Sequence, residues 1–144
     1  MKYLISHRGN IDGKKPNLEN NLDYIYKAIS LGYDVEIDVW FINGDIYLGH
    51  DKPQYIVELD WIHKLRKRLW IHCKNLDTVV YFHGKKYNYF FHDTDDCTIT
   101  SQGNIWVYPG KQPVKNSIAV LPELFNDDVE GCLGVCSDFI KNYK

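Results

Sequence analysis

The chain has 144 residues, enough for one domain with a hydrophobic core and too few to expect two, so we predict a single domain over residues 1–144. Its content of 44% hydrophobic and 25% charged residues is typical of a soluble globular protein. The net charge of -2 excludes a general electrostatic attraction to nucleic acid or to an anionic membrane. Only Met1 and Lys2 precede the first apolar run, and no run approaches the roughly 20 residues needed to cross a bilayer, so we expect no signal peptide, no membrane insertion and a cytoplasmic location.

The first half of the chain alternates predicted strands and helices. A strand at Tyr3–His7 is followed by apolar residues at helical spacings of four, three and four, and Gly32 is suited to end that helix. The apolar stripe consists of Leu18, Leu22, Ile25 and Ile29. The next predicted elements are a strand at Val35–Val39, a hairpin over residues 40–49, a helix with Val57, Trp61 and Leu65 on one face, a strand at Leu69–Cys73 and a short helix capped by Asn75.

The second half of the chain consists mainly of short apolar runs between turn residues. The predicted strands there are Tyr87–Phe91, Thr98–Thr100, Ile105–Tyr108, Ser117–Leu121 and Leu133–Ser137. Together with the early elements they favour an α/β fold, a (β/α)8 TIM-type barrel. Such barrels typically need about 250 residues, so several helices of the C-terminal half must be shortened or missing. The alternative is an open or incomplete barrel.

Ionisable residues occur at four predicted strand ends in succession. His7 and Arg8 end the first strand, and Glu36 and Asp38 lie on one face of the second. The other two ends are His50 with Asp51 after the hairpin, and His72 with Lys74 on the third barrel strand. Because the ends of parallel barrel strands meet at one rim, we expect these side chains to form one site.

This set of residues suits phosphodiester cleavage. Two histidines can act as general base and general acid on opposite sides of a phosphorus atom. The carboxylates of Glu36 and Asp38, two residues apart on a strand, point the same way and can hold a hard divalent cation. That cation, with Arg8 and Lys74, would neutralise charge on the phosphoryl oxygens.

The segments "ISHRGN", "LEN", "GYDVEIDVWFINGDIYLGHD", "IHCK" and "GVCSD" resemble the glycerophosphodiester phosphodiesterase family, within the phosphatidylinositol-phospholipase-C-like barrels. The match covers roughly the first 75 residues and Cys136–Asp138 near the C-terminus. The resemblance implies hydrolysis of a small or lipid-derived phosphodiester with Mg²⁺ or Ca²⁺. It also implies His7 and His50 as the acid–base pair, Arg8 and Lys74 as phosphate ligands, and Glu36 and Asp38 as metal ligands.

The chain departs from the family pattern at His72, where the family has a third carboxylate. If His72 binds the metal, its imidazole shifts the preference toward Mn²⁺, Co²⁺ or Zn²⁺. If it does not, the cation is held weakly or not at all. Further candidate members of the site are Glu19, His92 and Asp138.

Two other functions remain open at this point. The first is a catalytically degenerate barrel that binds a phosphorylated small molecule without cleaving it. The second is a relative of the phospholipases or sphingomyelinases, which would need an apolar lip for membrane contact. We expect no nucleic-acid partner, because the basic run at residues 63–68 lies at a predicted helix C-terminus, where cations complement the helix dipole. The sequence makes no prediction of the oligomeric state.

Overall fold

A computed structural model describes all residues from Met1 to Lys144. It contains ten strands, three short α-helices and two 3₁₀ turns. The strands are β1 (Tyr3–His7), β2 (Asp34–Ile42), β3 (Asp45–Leu48), β4 (Tyr55–Val57), β5 (Leu69–Cys73), β6 (Tyr89–Phe90), β7 (Cys97–Ile99), β8 (Ile105–Val107), β9 (Ser117–Val120) and β10 (Gly134–Ser137). The helices are α1 (Leu22–Ser30), α2 (Leu59–Leu65) and α3 (Leu76–Phe82), and the 3₁₀ turns are Pro122–Leu124 and Ile140–Tyr143.

The strands form one mixed sheet that curves into a half-barrel. Seven strands are parallel to their neighbours, in the order β6-β5-β2-β1-β10-β9-β8. β3 and β4 extend the sheet in antiparallel fashion from the second half of β2, and β7 is antiparallel to β8. No ladder joins β6 to β8, so strand pairing does not close the ring.

The prediction of a (β/α)8 barrel is therefore wrong, and the open alternative agrees with the structure. A right-handed crossover with a helix needs about a dozen residues or more. The segment between β8 and β9, residues 108–116, is too short for one. The segment between β6 and β8 contains β7 instead of a helix, and no α-helix follows Phe82.

Several predicted boundaries also differ from the structure. α1 begins at Leu22 rather than near Leu18, because Asn21 caps it by accepting hydrogen bonds from the backbone N–H groups of Asp23 and Tyr24. Val57 lies in β4, a strand that the sequence did not predict, and not in the helix that follows. The predicted cap of α3 is confirmed, since the Asn75 side chain accepts from the backbone N–H of Thr78.

The interior of the half-barrel is filled below its rim by large apolar side chains. Alternate residues of a strand point to the same face, so the interior receives Trp70 from β5, Phe90 from β6 and Trp106 from β8. The rings of Trp106 and Phe90 lie 4.6 Å apart, and those of Trp106 and Trp70 lie 5.6 Å apart. The polar side chains of the rim therefore lie directly above a packed apolar layer.

The three α-helices cover the outer face of the first half of the sheet. Their buried side chains include Ile25 of α1, Ile62 of α2 and Phe82 of α3, which join one core with the outward-facing residues of β2 and β5. This core holds β2 and β5 in position, and those strands carry the acidic and imidazole groups described below. None of the helices has the length and apolarity required to span a bilayer.

Phe82→Ala is expected to lower the free energy of unfolding by about 3–5 kcal/mol, because the ring is fully buried and its removal leaves a cavity. Val80→Ala, on the exposed face of the same helix, is the control and should change stability by less than about 0.5 kcal/mol. Urea denaturation followed by circular dichroism measures both. Equal losses for the two variants would contradict the packing described for α3.

Candidate functional site

The ten residues predicted for the site all meet at the carboxyl ends of the parallel strands. Strand register explains part of this, because His7 of β1 lies opposite Glu36 of β2, and Asp38 lies opposite His72 of β5. Seven of the ten line one cavity of about 320 Å³, namely His7, Arg8, Glu36, His50, His72, Lys74 and His92. Asp38, Glu19 and Asp138 lie behind them and hold them in place by direct contacts.

Asp38 is the most enclosed charged group of the site, with no exposed surface. One of its oxygens, Oδ2, accepts a hydrogen bond from Asn20 Nδ2 at 2.9 Å and lies 2.9 Å from Arg8 Nε. The other, Oδ1, lies 3.1 Å from His72 Nδ1. Burial alone would raise the pKa of Asp38, but His50, His72 and Arg8 outweigh it and hold the pKa well below the ordinary value. The carboxylate is therefore a fixed negative charge.

Arg8 connects two sides of the site from the turn that follows β1. It donates from Nη1 to Glu19 Oε1 at 3.0 Å and from Nη2 to His50 Nδ1 at 2.6 Å. The turn needs positive φ angles, 58° at Arg8 and 97° at Gly9. A β-carbon at Gly9 would also lie 2.6 Å from Tyr24 Cδ1. The glycine of the His-Arg-Gly segment is thus required both by the backbone and by the close approach of a ring.

His7 is held by Asp138, which follows β10. His7 Nδ1 donates to Asp138 Oδ1 at 2.7 Å, and Asn10 Nδ2 donates to the same oxygen at 2.8 Å. Burial alone would raise the pKa of Asp138, but the hydrogen bonds from His7 and Asn10 lower it below the ordinary value. With Nδ1 engaged, His7 turns Nε2 toward the cavity, 3.8 Å from Glu36 Oε2.

His50 lies at the entrance of the cavity, after β3. Its side chain is 42% exposed, and its Nδ1 accepts the hydrogen bond from Arg8. A neutral imidazole that accepts at Nδ1 carries its proton on Nε2. The two histidines therefore have opposite arrangements: His7 has a free acceptor at Nε2, and His50 has a donor there.

Glu36, Asp38 and His72 form a cluster that could hold a metal ion, since one ligand atom from each lies within 4.8 Å of the others. His72 Nδ1 is 3.1 Å from Asp38 Oδ1 and 3.7 Å from Glu36 Oε1. Neighbouring ligands of a six-coordinate cation with bonds of about 2.1 Å are roughly 3 Å apart, so the first distance suits one and the second would have to shorten on binding. Glu36 Oε2 and Asp38 Oδ1 are buried and accept no well-aligned hydrogen bond, which is consistent with a cation as their partner.

The donor set of the cluster is two carboxylates and one imidazole. Burial alone would lower the pKa of His72, but the nearby carboxylates of Asp38 and Glu36 raise it. Without a cation, a proton on His72 balances part of the carboxylate charge. Carboxylates and an imidazole together fit Mn²⁺, Co²⁺ or Zn²⁺ better than they fit Ca²⁺.

Lys74 completes the charged side of the cavity. It extends from the end of β5, and its Nζ lies 3.9 Å from Asp38 Oδ1. Its side chain is mostly buried, so the ammonium group is directed along the cavity and not into open solvent. Lys74 and Arg8 thus offer two positive charges beside the cluster.

The cavity also has an aromatic wall, formed by Phe90, His92, Trp106 and Tyr108. The ring of His92 lies 4.5 Å from that of His72 and 3.8 Å from that of Tyr108. Burial and the nearby charges of His72 and Lys74 lower the pKa of His92 to about 4. His92 is therefore a neutral member of the wall, and its contact with His72 joins the wall to the cluster.

Sequence reasoning missed several residues of the site, among them Asn10, Asn20 and Tyr108. Asn10 and Asn20 bind the carboxylates of Asp138 and Asp38, and Tyr108 lines the cavity. Both asparagines end segments that carry the family resemblance, Asn10 in "ISHRGN" and Asn20 in "LEN", and Asn20 adopts a positive φ of 64° that asparagine tolerates. For Tyr108 the available signal was its position two residues beyond the interior Trp106.

No protein family, curated protein or solved structure matches this chain.

Glu36→Gln is expected to weaken Mn²⁺ binding at least 10-fold, because the variant keeps the shape of the side chain but loses a buried anionic ligand. The matched control is Glu58→Gln, an exposed residue whose side chain makes no capping bond to α2. Isothermal titration calorimetry of the metal-free proteins with MnCl₂ measures both. Unchanged affinity in Glu36→Gln would contradict the assignment of the cluster.

The stability of the metal-free protein should depend on the ionisation of His72. Its pKa in the folded state lies above the ordinary value of about 6.5, so its contribution to stability is complete below pH 6.5 and is lost as the pH rises through the folded pKa. We expect the melting temperature in EDTA to fall over that range, and His72→Gln to reduce the decrease. The control is His83→Gln, an exposed residue outside the site. The same decrease in wild type and His72→Gln would rule out this role for His72.

Proposed function

We propose that the protein is a metal-dependent phosphodiester hydrolase. The observation that carries the proposal is that His7 and His50 line the same cavity as Glu36 and His72, two members of the cluster that Asp38 completes from behind. A binding site for a phosphorylated ligand needs positive charge, but it does not need two histidines with opposite hydrogen-bonding arrangements. Hydrolysis of a phosphodiester needs both a proton acceptor and a proton donor.

His7 is suited to the role of general base. Asp138 accepts the proton of Nδ1 and so fixes the ring with Nε2 as the acceptor toward the cavity. A carboxylate in this position also stabilises the imidazolium that forms when Nε2 takes a proton. His7 would remove a proton from the attacking hydroxyl group, either water or a neighbouring hydroxyl of the substrate.

His50 is suited to the role of general acid. Arg8 donates to its Nδ1, which leaves the proton of the neutral ring on Nε2. Its exposure at the entrance of the cavity allows it to exchange protons with solvent between turnovers. For this role the exposed ring would first take a proton from solvent at Nδ1, in place of the hydrogen bond from Arg8, and the resulting imidazolium would then protonate the oxygen of the departing alcohol from Nε2.

Arg8 and Lys74 would bind the phosphoryl oxygens, because they are the two permanent cations that line the cavity. Arg8 is already held by Glu19 and Asp38, so little side-chain entropy is lost when it binds. Glu36, Asp38 and His72 would hold a divalent cation, which would supply further positive charge to polarise the phosphoryl group. The imidazole of His72 makes Mn²⁺, Co²⁺ or Zn²⁺ stronger candidates than the Mg²⁺ or Ca²⁺ implied by the family resemblance.

We propose that the substrate is a small or lipid-derived phosphodiester and not a nucleic acid. A cavity of about 320 Å³ is at the small end of the range for ligand sites in proteins. The basic run at residues 63–68 lies at the end of α2 and contributes nothing to the cavity lining. The two cations of the cavity, Arg8 and Lys74, can therefore bind one phosphate group but not the successive phosphates of a nucleic acid.

His7→Ala is expected to lower the turnover of bis(p-nitrophenyl) phosphate and of glycerophosphocholine by about 10²-fold or more, the usual contribution of a general base. The assay is run in EDTA and with each of Ca²⁺, Mg²⁺, Mn²⁺, Co²⁺ and Zn²⁺. His83→Ala, at an exposed position outside the cavity, controls for purification and folding. Wild-type turnover should require one of the metals.

Near-normal turnover by His7→Ala would contradict the assignment of the base. No turnover by the wild type with any metal and either substrate would contradict the hydrolase and favour a protein that binds a phosphorylated small molecule.

A further inference from the structure

A second pocket, of about 400 Å³, lies at the other end of the half-barrel, where the parallel strands begin. Tyr3 of β1, Asp34 of β2 and Trp70 of β5 line it near the amino ends of their strands. The rings of Trp70 and Trp106, 5.6 Å apart, separate this lower pocket from the cavity of the proposed active site. The other polar residues of the lower pocket are Arg66, Lys67, Lys86, Asn88, Gln102 and Asn104.

The positive charge of the lower pocket is not balanced by acidic residues. Asp34 is the one carboxylate of the lining, and Arg68 already pairs with it, with Nε 2.6 Å from Oδ1. Arg66, Lys67 and Lys86 make no ion pair, so three unpaired cations lie around one pocket in a chain whose net charge is -2. Like charges gathered in this way repel each other and attract anions.

The dipole of α2 does not account for these cations. The basic residues that lie in its last turn, where a cation complements the dipole, are His63 and Lys64. Lys67 lies beyond the end of α2, and Lys86 precedes β6 in a different segment of the chain. The fold therefore brings basic side chains from two segments to the same pocket.

The lining indicates a soluble anion with more than one phosphate group. Two phosphate groups carry about three to four negative charges near pH 7, which matches three cations. The side-chain amides of Gln102 and Asn104 can donate hydrogen bonds to further oxygens. None of the large exposed apolar side chains lines the lower pocket, so it has no apolar anchor for a lipid surface.

We propose that the lower pocket binds a small soluble anion that carries two or more phosphate groups. Arg66, Lys67 and Lys86 pair with the phosphate oxygens, and the amides of Gln102 and Asn104 complete the set of donors. This site lies apart from the proposed active site, needs no metal ion and does not rest on the proposed function.

The test is an NMR titration of the ¹⁵N-labelled, metal-free protein with sodium diphosphate, in a buffer without EDTA because EDTA is itself a polyanion. The side-chain NH₂ signals of Gln102 and Asn104 should shift to saturation. Sodium orthophosphate should bind at least about fivefold more weakly, because a single phosphate carries less charge. The double variant Lys67→Gln/Lys86→Gln should bind diphosphate at least about 10-fold more weakly, because it loses two charge-assisted hydrogen bonds.

Lys64→Gln is the matched control, because Lys64 belongs to the same basic run but pairs with Asp60 and does not line the lower pocket. Its affinity for diphosphate should stay within about twofold of the wild type. The backbone signals of each variant show whether it is folded.

Absence of saturable shifts at Gln102 and Asn104, or unchanged affinity in the double variant, would overturn the inference. Orthophosphate bound as tightly as diphosphate would overturn the proposed class of ligand. Shifts that saturate only around Arg8 and Lys74 would also overturn the inference, while supporting the phosphate ligands of the proposed function.

Discussion

The buried carboxylate of Asp38 is the constraint on which the rest of the site depends. A negative charge with no exposed surface is stable only if other groups replace the water that it has lost. Asn20, Arg8 and His72 do this, and they come from three different segments of the chain, so satisfying one carboxylate brings three parts of the rim together. Arg8 in turn reaches His50, which ties the entrance of the cavity to its interior.

The half-barrel provides this arrangement with far fewer residues than a closed barrel needs. β1, β2, β5 and β10 are neighbours in the parallel part of the sheet, and their carboxyl ends supply the cluster, the His7–Asp138 pair and Lys74. The missing helices and the unpaired gap between β6 and β8 lie in the second half of the chain. That half contributes the aromatic wall, while most of the charged residues that line the cavity come from the first half.

The residues on the charged side of the cavity could be predicted from the sequence. This is because the alternation of side chains between the two faces of a strand, and the position at which a strand ends, are local properties of the chain. β1 and β5 have the predicted limits, and Glu36, Asp38 and His72 lie on the interior face as their spacing required. The pairing of strands that are distant in the sequence could not be predicted in the same way. Nothing in the short run Cys97–Ile99 distinguishes a strand that pairs antiparallel from a parallel strand of a barrel. Tyr108 was predicted only as the last residue of a strand, because its role depends on a cavity formed by distant segments.

A crystal structure of the protein with Mn²⁺ and 2-hydroxyethylphosphonate, with data collected for the anomalous signal of manganese, would test the central claim most directly. We expect one strong anomalous peak at about 2.0–2.3 Å from a carboxylate oxygen of Glu36, a carboxylate oxygen of Asp38 and Nδ1 of His72. The phosphorus should lie between His7 and His50, with its oxygens bonded to Arg8 and Lys74. Manganese bound only elsewhere, for example at the exposed acidic loop that contains Asp93, Asp95 and Asp96, would contradict the assignment of the site.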